Sequence, residues 1–247
     1  MRFCLGIMVL LLLTPCQSRQ ANPPAFAGGE QLHFKAEWRL VRAGDVTLGL
    51  KNDGDGREAR LQLRSTGLVS MLFPLDDLYL AQLNEDLCAV STMLTAKEGS
   101  RSRETKVTFD SERGKASYLE RDLKKNTTVA SLETDVPPCV HDVVGGLYFL
   151  RTMDIPVGKS ADVAVSDGKK SVMARVDAQK RETINTPAGR FSTVRYEAFL
   201  FNNVLFRRPG VLQFWLTDDE RRLPVQIQVR LKFYIGTITL QLEKIEA

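Results

Sequence analysis

The chain has 247 residues, 34 of them Lys or Arg and 30 Asp or Glu, and a formal charge of +4. Two of the positive charges, Arg2 and Arg19, fall in the first 21 residues, so the rest of the chain carries only +2, a near-neutral balance that excludes a nucleic-acid partner. The 226 residues after position 21 suffice for one large β domain or two small ones, and since no Pro-, Ser- or Gly-rich linker divides them, a single domain over 22–247 is expected.

The first element is an export signal over residues 1–21. Arg2 is followed by an apolar run from Leu5 to Leu13 and then by Thr14, Pro15, Cys16, Gln17 and Ser18. Nine apolar residues are too few to cross a bilayer as a helix. Export to the periplasm follows. Leu13-Thr14-Pro15-Cys16 resembles a lipidation box, which would add outer-membrane association, but Pro15 occupies a slot that wants a small, unconstrained residue. Simple cleavage is therefore expected ahead of lipidation on Cys16.

From residue 32 onward the dominant period is two. Leu32, Phe34, Ala36, Trp38 and Leu40 alternate with His33, Lys35, Glu37 and Arg39. Ala43-Gly44-Asp45 turns the chain, and Val46, Leu48 and Leu50 return it, which makes a hairpin with one buried face. Leu61 and Leu63 mark a third strand, and Leu78 and Leu80 a fourth after Pro74. Residues 88–134 read as a meander whose polar content suits a sheet edge. Pro137-Pro138 breaks the period. Val143, Val144, Leu147, Tyr148 and Leu150 then fall at helical spacing behind Asp142, a cap residue, so one helix is expected over 142–152. The alternation resumes with 172–179, with Phe191 to Phe201, with 212–216, with 223–233 and with 238–242. The total is eleven or twelve antiparallel strands. A sheet of that size must curl or close. The fold class expected is a mostly-β half-barrel or unclosed barrel with one helix on its concave face.

Three blocks carry a family resemblance. They are Pro137-Pro138-Cys139-Val140-His141-Asp142 with Leu147 to Arg151, Thr186-Pro187-Ala188-Gly189-Arg190-Phe191, and Phe206-Arg207-Arg208 through Trp215 to Pro224. The opening Gly29-Glu30-Gln31-Leu32 with Trp38 and Ala43-Gly44 matches as well. With these residues the chain resembles the exported bacterial "domain of unknown function 3108" family over nearly its whole length after the signal. The resemblance implies export, a single β-rich domain, and no established activity or catalytic residues. It also implies a shape similar to that of periplasmic lipoprotein carriers, an analogy of fold alone.

The candidates for chemistry are few. Cys88 and Cys139 are the only cysteines beyond the signal region, and in an oxidising compartment such a pair is expected to be a disulfide. A free Cys139 beside His141 would instead suggest a thiolate–imidazole pair, and Cys88, Cys139 and His141 together would offer three zinc ligands without motif spacing. Asp76-Asp77 and Asp218-Asp219 are adjacent, so on a strand they face opposite ways and form no acid–base dyad. No catalytic residue, cofactor or metal is expected. The expected site is an apolar cavity between the concave sheet and the helix, lined in part by Trp38, Tyr148, Phe214 and Leu216. The leading reading is a non-enzymatic envelope protein that binds a lipid-like ligand or an envelope protein partner. The alternatives are a structural or assembly module without ligand and, well behind, a hydrolase.

Overall fold

The computed structural model describes residues 29–39, 41–231 and 236–246. The expected signal with Cys16, and the strand positions Leu40 and Phe233, lie outside the described residues. Alternation becomes strand wherever one face has a core to meet. β1 (Glu30–Trp38) and β2 (Val41–Asp53) bury Leu32, Phe34, Val46, Leu48 and Leu50 and leave the residues between them at least partly exposed. Gly44 lets β2 and β3 (Gly56–Ser65) come close, because a Cβ there would stand 2.2 Å from the Arg64 carbonyl oxygen. The meander continues as β4 (Leu75–Leu83), β5 (Ala89–Glu98), β6 (Arg101–Asp110), β7 (Lys115–Asp122) and β8 (Thr127–Asp135). A short helix, α1 (Gly67–Leu72), joins β3 to β4, and α2 (Val143–Thr152) follows β8. The second run is β9 (Ser160–Ser166), β10 (Ser171–Thr186), β11 (Gly189–Ala198), β12 (Gly210–Thr217), β13 (Pro224–Leu231) and β14 (Gly236–Glu246).

These strands form one antiparallel sheet in the order β8-β7-β6-β5-β4-β3-β2-β1-β14-β13-β12-β11-β10-β9. Each strand thus lies beside its sequence neighbour, and β14 returns to pair with β1. The arrangement is a ring with one seam, between β8 and β9. Residues 136–142 cross that seam, and α2 then packs on the concave face against β9, β3 and β4. Ala89 N donates to Val140 O at 2.8 Å, His141 N to Ala164 O at 2.9 Å, and Ser166 N to His141 O at 2.9 Å, so this strap touches both β5 and β9. Val136 and Val140 pack there with Val107, Phe109, Ala116 and Tyr118. Cys88 and Cys139 are joined, with their Cα atoms 5.1 Å apart, and tether the strap to the β4–β5 connection. Closing a separation of 51 residues stabilises the fold by about 4 kcal/mol in the chain-entropy account.

Asp142 starts α2 as its residue type predicts. Its Oδ1 accepts from Val144 N at 2.9 Å and from Gly145 N at 3.1 Å. One flank of the helix packs Val144 and Tyr148 against Leu32, Phe34 and Leu83, and the other packs Leu150 against Val163, Val165 and Phe214.

The sheet is larger than expected, with fourteen strands in place of eleven or twelve, and α1 is a second helix. The expected strand from Phe191 to Phe201 ends at Ala198. Beyond it, Asn202 and Asn203 hold left-handed φ values of 60° and 69°, through which no strand continues. Phe199 and Phe201 therefore belong to the connection to β12. Strand alternation places the β1–β2, β3–β4, β5–β6, β7–β8 and β11–β12 connections at one end of the sheet, the α1 end, while the β9–β10 connection lies across the seam against β6, β7 and the last residue of β8. The β2–β3, β4–β5, β6–β7, β10–β11 and β12–β13 connections lie at the other.

Candidate functional site

Inside the curl, between the concave sheet face and α2, lies a cavity of about 310 Å³. All 22 residues around it are apolar or glycine. The helix supplies Val143, Leu147 and Leu150, one face at helical spacing, together with Gly146 and Val144. The sheet supplies residues from both halves of the ring, among them Leu48, Leu63, Val176 and Phe214. No lining side chain titrates or carries a nucleophile. This wall can take up apolar matter, and it has nothing with which to move a proton.

Of the four residues expected on the wall, Phe214 is there, stacked on Tyr196 with ring centroids 5.5 Å apart. The other three lie off it. Tyr148 is fully buried on the opposite flank of α2, under the Arg151 guanidinium at 5.3 Å. Leu216 follows a register shift at Trp215 in the pairing with β13, and it is packed into the neighbouring core. Trp38 follows a shift at Ala36 and ends β1 edge-on to Phe73, with ring centroids 6.3 Å apart. In both cases the extra residue sits in the partner strand, Ala43 in β2 and Val225 in β13, so Trp38 and Leu216 keep the alternation of their own strands and lie off the wall because each stands near the end of its strand. Sequence reasoning also missed Leu200, Phe201 and Phe206, which the β11–β12 connection folds onto the wall. Their signal was present as an apolar cluster inside a segment rich in Asn and Arg.

The buried polar groups fix the helix and stand away from the cavity wall. Arg151, at the end of α2, forks onto both carboxylate oxygens of Glu30, with Nη2 3.0 Å from Oε2. Both side chains are almost fully buried. Arg151 Nη2 also donates to Arg221 O at 3.0 Å, and Arg222 Nη1 to Arg151 O at 3.3 Å, so the helix end is tied to β1 and to the β12–β13 connection. At the other end Tyr79 Oη donates to Asp142 Oδ1 at 3.0 Å, and burial pushes the Asp142 carboxyl above its ordinary value. His141 Nδ1 lies 2.8 Å from Leu87 O, an acceptor only, so this nitrogen carries the proton. Its ring stacks on Phe149 at 4.1 Å, and burial holds its pKa below the usual imidazole value.

The remaining candidates are structural. With Cys139 in the disulfide, the Cys139–His141 pair offers no thiolate in this state. His33 sits 3.3 Å from Glu246 on the outer surface. Asp76 pairs with Arg64, while Asp77 accepts from Lys97 N. Asp218 pairs with Arg181, and Asp219 closes a turn by accepting from Thr217 Oγ1, Arg221 N and Arg222 N. Among the described residues no group of three or more His, Cys, Asp or Glu side chains is placed to hold a metal ion. None of their helices is long and apolar enough to cross a membrane.

Fold and cavity together define an open, barrel-like antiparallel β protein with an apolar interior. The chain belongs to the family described as "Protein of unknown function (DUF3108)", whose model matches residues 33–243. No curated protein matches it. Among solved structures it is similar to a beta-barrel-like protein of the domain of unknown function DUF1849 from Brucella abortus. That likeness has a TM-score of 0.54 at 11% identity and covers 89% of this chain and 97% of the other. A looser likeness, with a TM-score of 0.34 at 9% identity over 89% of this chain and 96% of the other, is to a protein from Bacteroides fragilis provisionally described as exported, with a YmcC-like fold.

Proposed function

We propose that this is an exported, non-enzymatic envelope protein of the periplasm whose curled sheet and α2 hold a lipid-like apolar ligand. The observation that carries this reading is the wholly apolar cavity. Its walls are apolar surface that a ligand of matching size would bury. Its size falls at the lower end of the range for small-molecule sites. The basic, then apolar, start of the chain and the Cys88–Cys139 bond support an exported, oxidising location.

A fluorescent fatty-acid probe tests the reading. The folded protein should bind it and release it to a membrane lipid extract. Filling the cavity from the helix with Gly146→Leu should weaken probe binding far more than it lowers stability. Absence of probe binding by folded protein would reject the ligand.

A second reading, an assembly module without ligand, rests on β8. Among the described residues this strand pairs on one side only, and it exposes Val129 and Leu132. Such an edge can accept a strand from an envelope protein partner.

A further inference from the structure

The two ends of the sheet differ in both charge and apolarity. Connections at the α1 end carry Arg39, Lys124, Lys125, Arg207 and Arg208 and no acid. Those at the other end carry seven acids, including Asp55, Glu85, Asp86 and Glu220, against three bases, Arg113, Arg221 and Arg222. The densest cluster of large apolar side chains that face solvent lies at the α1 end. Leu68, Met71, Leu72 and Phe73 are 74%, 80%, 73% and 62% exposed. Val41, Leu123 and Phe199 are exposed at the same end, and Val90 and Val157 at the other.

The α1 segment accounts for most of this surface. Residues 65–75 contain no charge, and α1 buries none of its residues. Its apolar side chains therefore add nothing to the core, and a contiguous apolar patch on a protein surface marks an interaction site. Basic connections at the same end as exposed aliphatic and aromatic side chains match the chemistry of an anionic membrane surface, with cations for the headgroups and apolar groups for the acyl boundary. The cavity lies toward this end. Its wall includes Leu63, two residues before β3 stops, and Leu200, Phe201 and Phe206 in the β11–β12 connection.

We propose that the α1 end docks on an anionic lipid bilayer, with Leu68, Met71, Leu72 and Phe73 in the acyl boundary and the basic connections on the headgroups. This inference extends the lipid-binding reading by giving the ligand a source, and it orients the acidic end away from the membrane.

Vesicle sedimentation of the natively processed protein tests it. Vesicles of phosphatidylglycerol mixed with phosphatidylcholine should pull the protein down, and pure phosphatidylcholine vesicles much less. Added salt should weaken the binding. The double variant Leu68→Glu/Met71→Glu should bind at least about tenfold more weakly, and Lys124→Glu/Arg207→Glu should lose most of the preference for anionic lipid. Asp55→Lys at the opposite end should not weaken binding. Because Leu68 and Met71 are so exposed, the urea midpoint of that variant should match the parent. Wild-type protein that ignores both vesicles, or binding that survives the Glu variants, overturns the proposal. So does a wild-type dimer that the same variants dissolve, since a second copy then covers the patch. The fatty-acid probe, measured without vesicles, separates the two claims. Probe binding without sedimentation rejects docking alone, and sedimentation without probe binding rejects the ligand alone.

Discussion

Two neighbouring glycines in α2 should respond to the same substitution with opposite signs. In Gly146→Ala the new methyl meets Val165 Cγ2 at 3.6 Å and His141 Cβ at 3.8 Å, ordinary contacts. Removing a glycine from a helix interior then gains about 1 kcal/mol. In Gly145→Ala the methyl falls 2.6 Å from Asp142 Oδ2 and 3.0 Å from Leu83 Cδ2. That carboxylate caps the helix and receives the Tyr79 hydroxyl. Displacing it costs about 1 kcal/mol of capping, and forcing the methyl against Leu83 costs about 1–3 kcal/mol more. Set against the same helix gain, Gly145→Ala should destabilise by about 1–3 kcal/mol. Urea denaturation followed by tryptophan fluorescence should move the two midpoints in opposite directions. Midpoints that shift together would refute the close fit of Gly145 under the cap.

Further changes should show what holds the seam and the helix. Replacing Cys88 and Cys139 by Ser should cost about 2–5 kcal/mol in a urea titration, and no loss would show that the strap needs no tether. Arg151→Met, which strands a buried Glu30, should cost about 3–5 kcal/mol, and adding Glu30→Gln should recover part of it; a double variant no better than the single one would rule out a coupled pair. Burial depresses the His141 pKa, so the unfolded chain takes up the proton first. The stability that neutral His141 contributes is present above about pH 6.5 and is lost as pH falls from there. His141→Asn keeps a donor for Leu87 O and should flatten that decline, and an unchanged decline would clear His141 of the effect.

The architecture was legible where a strand has one wet face. Leu32-Phe34-Ala36 and the residues of β13 announce themselves by alternation, and Asp142 behind two prolines announces α2. Elements without that contrast were harder to count. β8 is exposed or half-exposed along its whole length, β9 is only seven residues long, and α1 is apolar yet faces solvent. The cavity was legible as a consequence of curling, but its wall was not. Trp38 and Leu216 stand near the ends of their strands, beyond the wall, Tyr148 turned to the other flank of its helix, and a loop with no periodicity supplied two phenylalanines. Such placements depend on register and on long-range packing, which local patterning does not encode.

The central claim is that the apolar cavity holds a ligand, and native mass spectrometry of the folded protein, isolated from cell envelopes without denaturation, tests it most directly. The account predicts a population heavier than the polypeptide by the mass of a lipid-like molecule. That population should be lost on organic extraction and diminished in Gly146→Leu. A single species at the polypeptide mass, from protein that also fails to take up the fatty-acid probe, would contradict it.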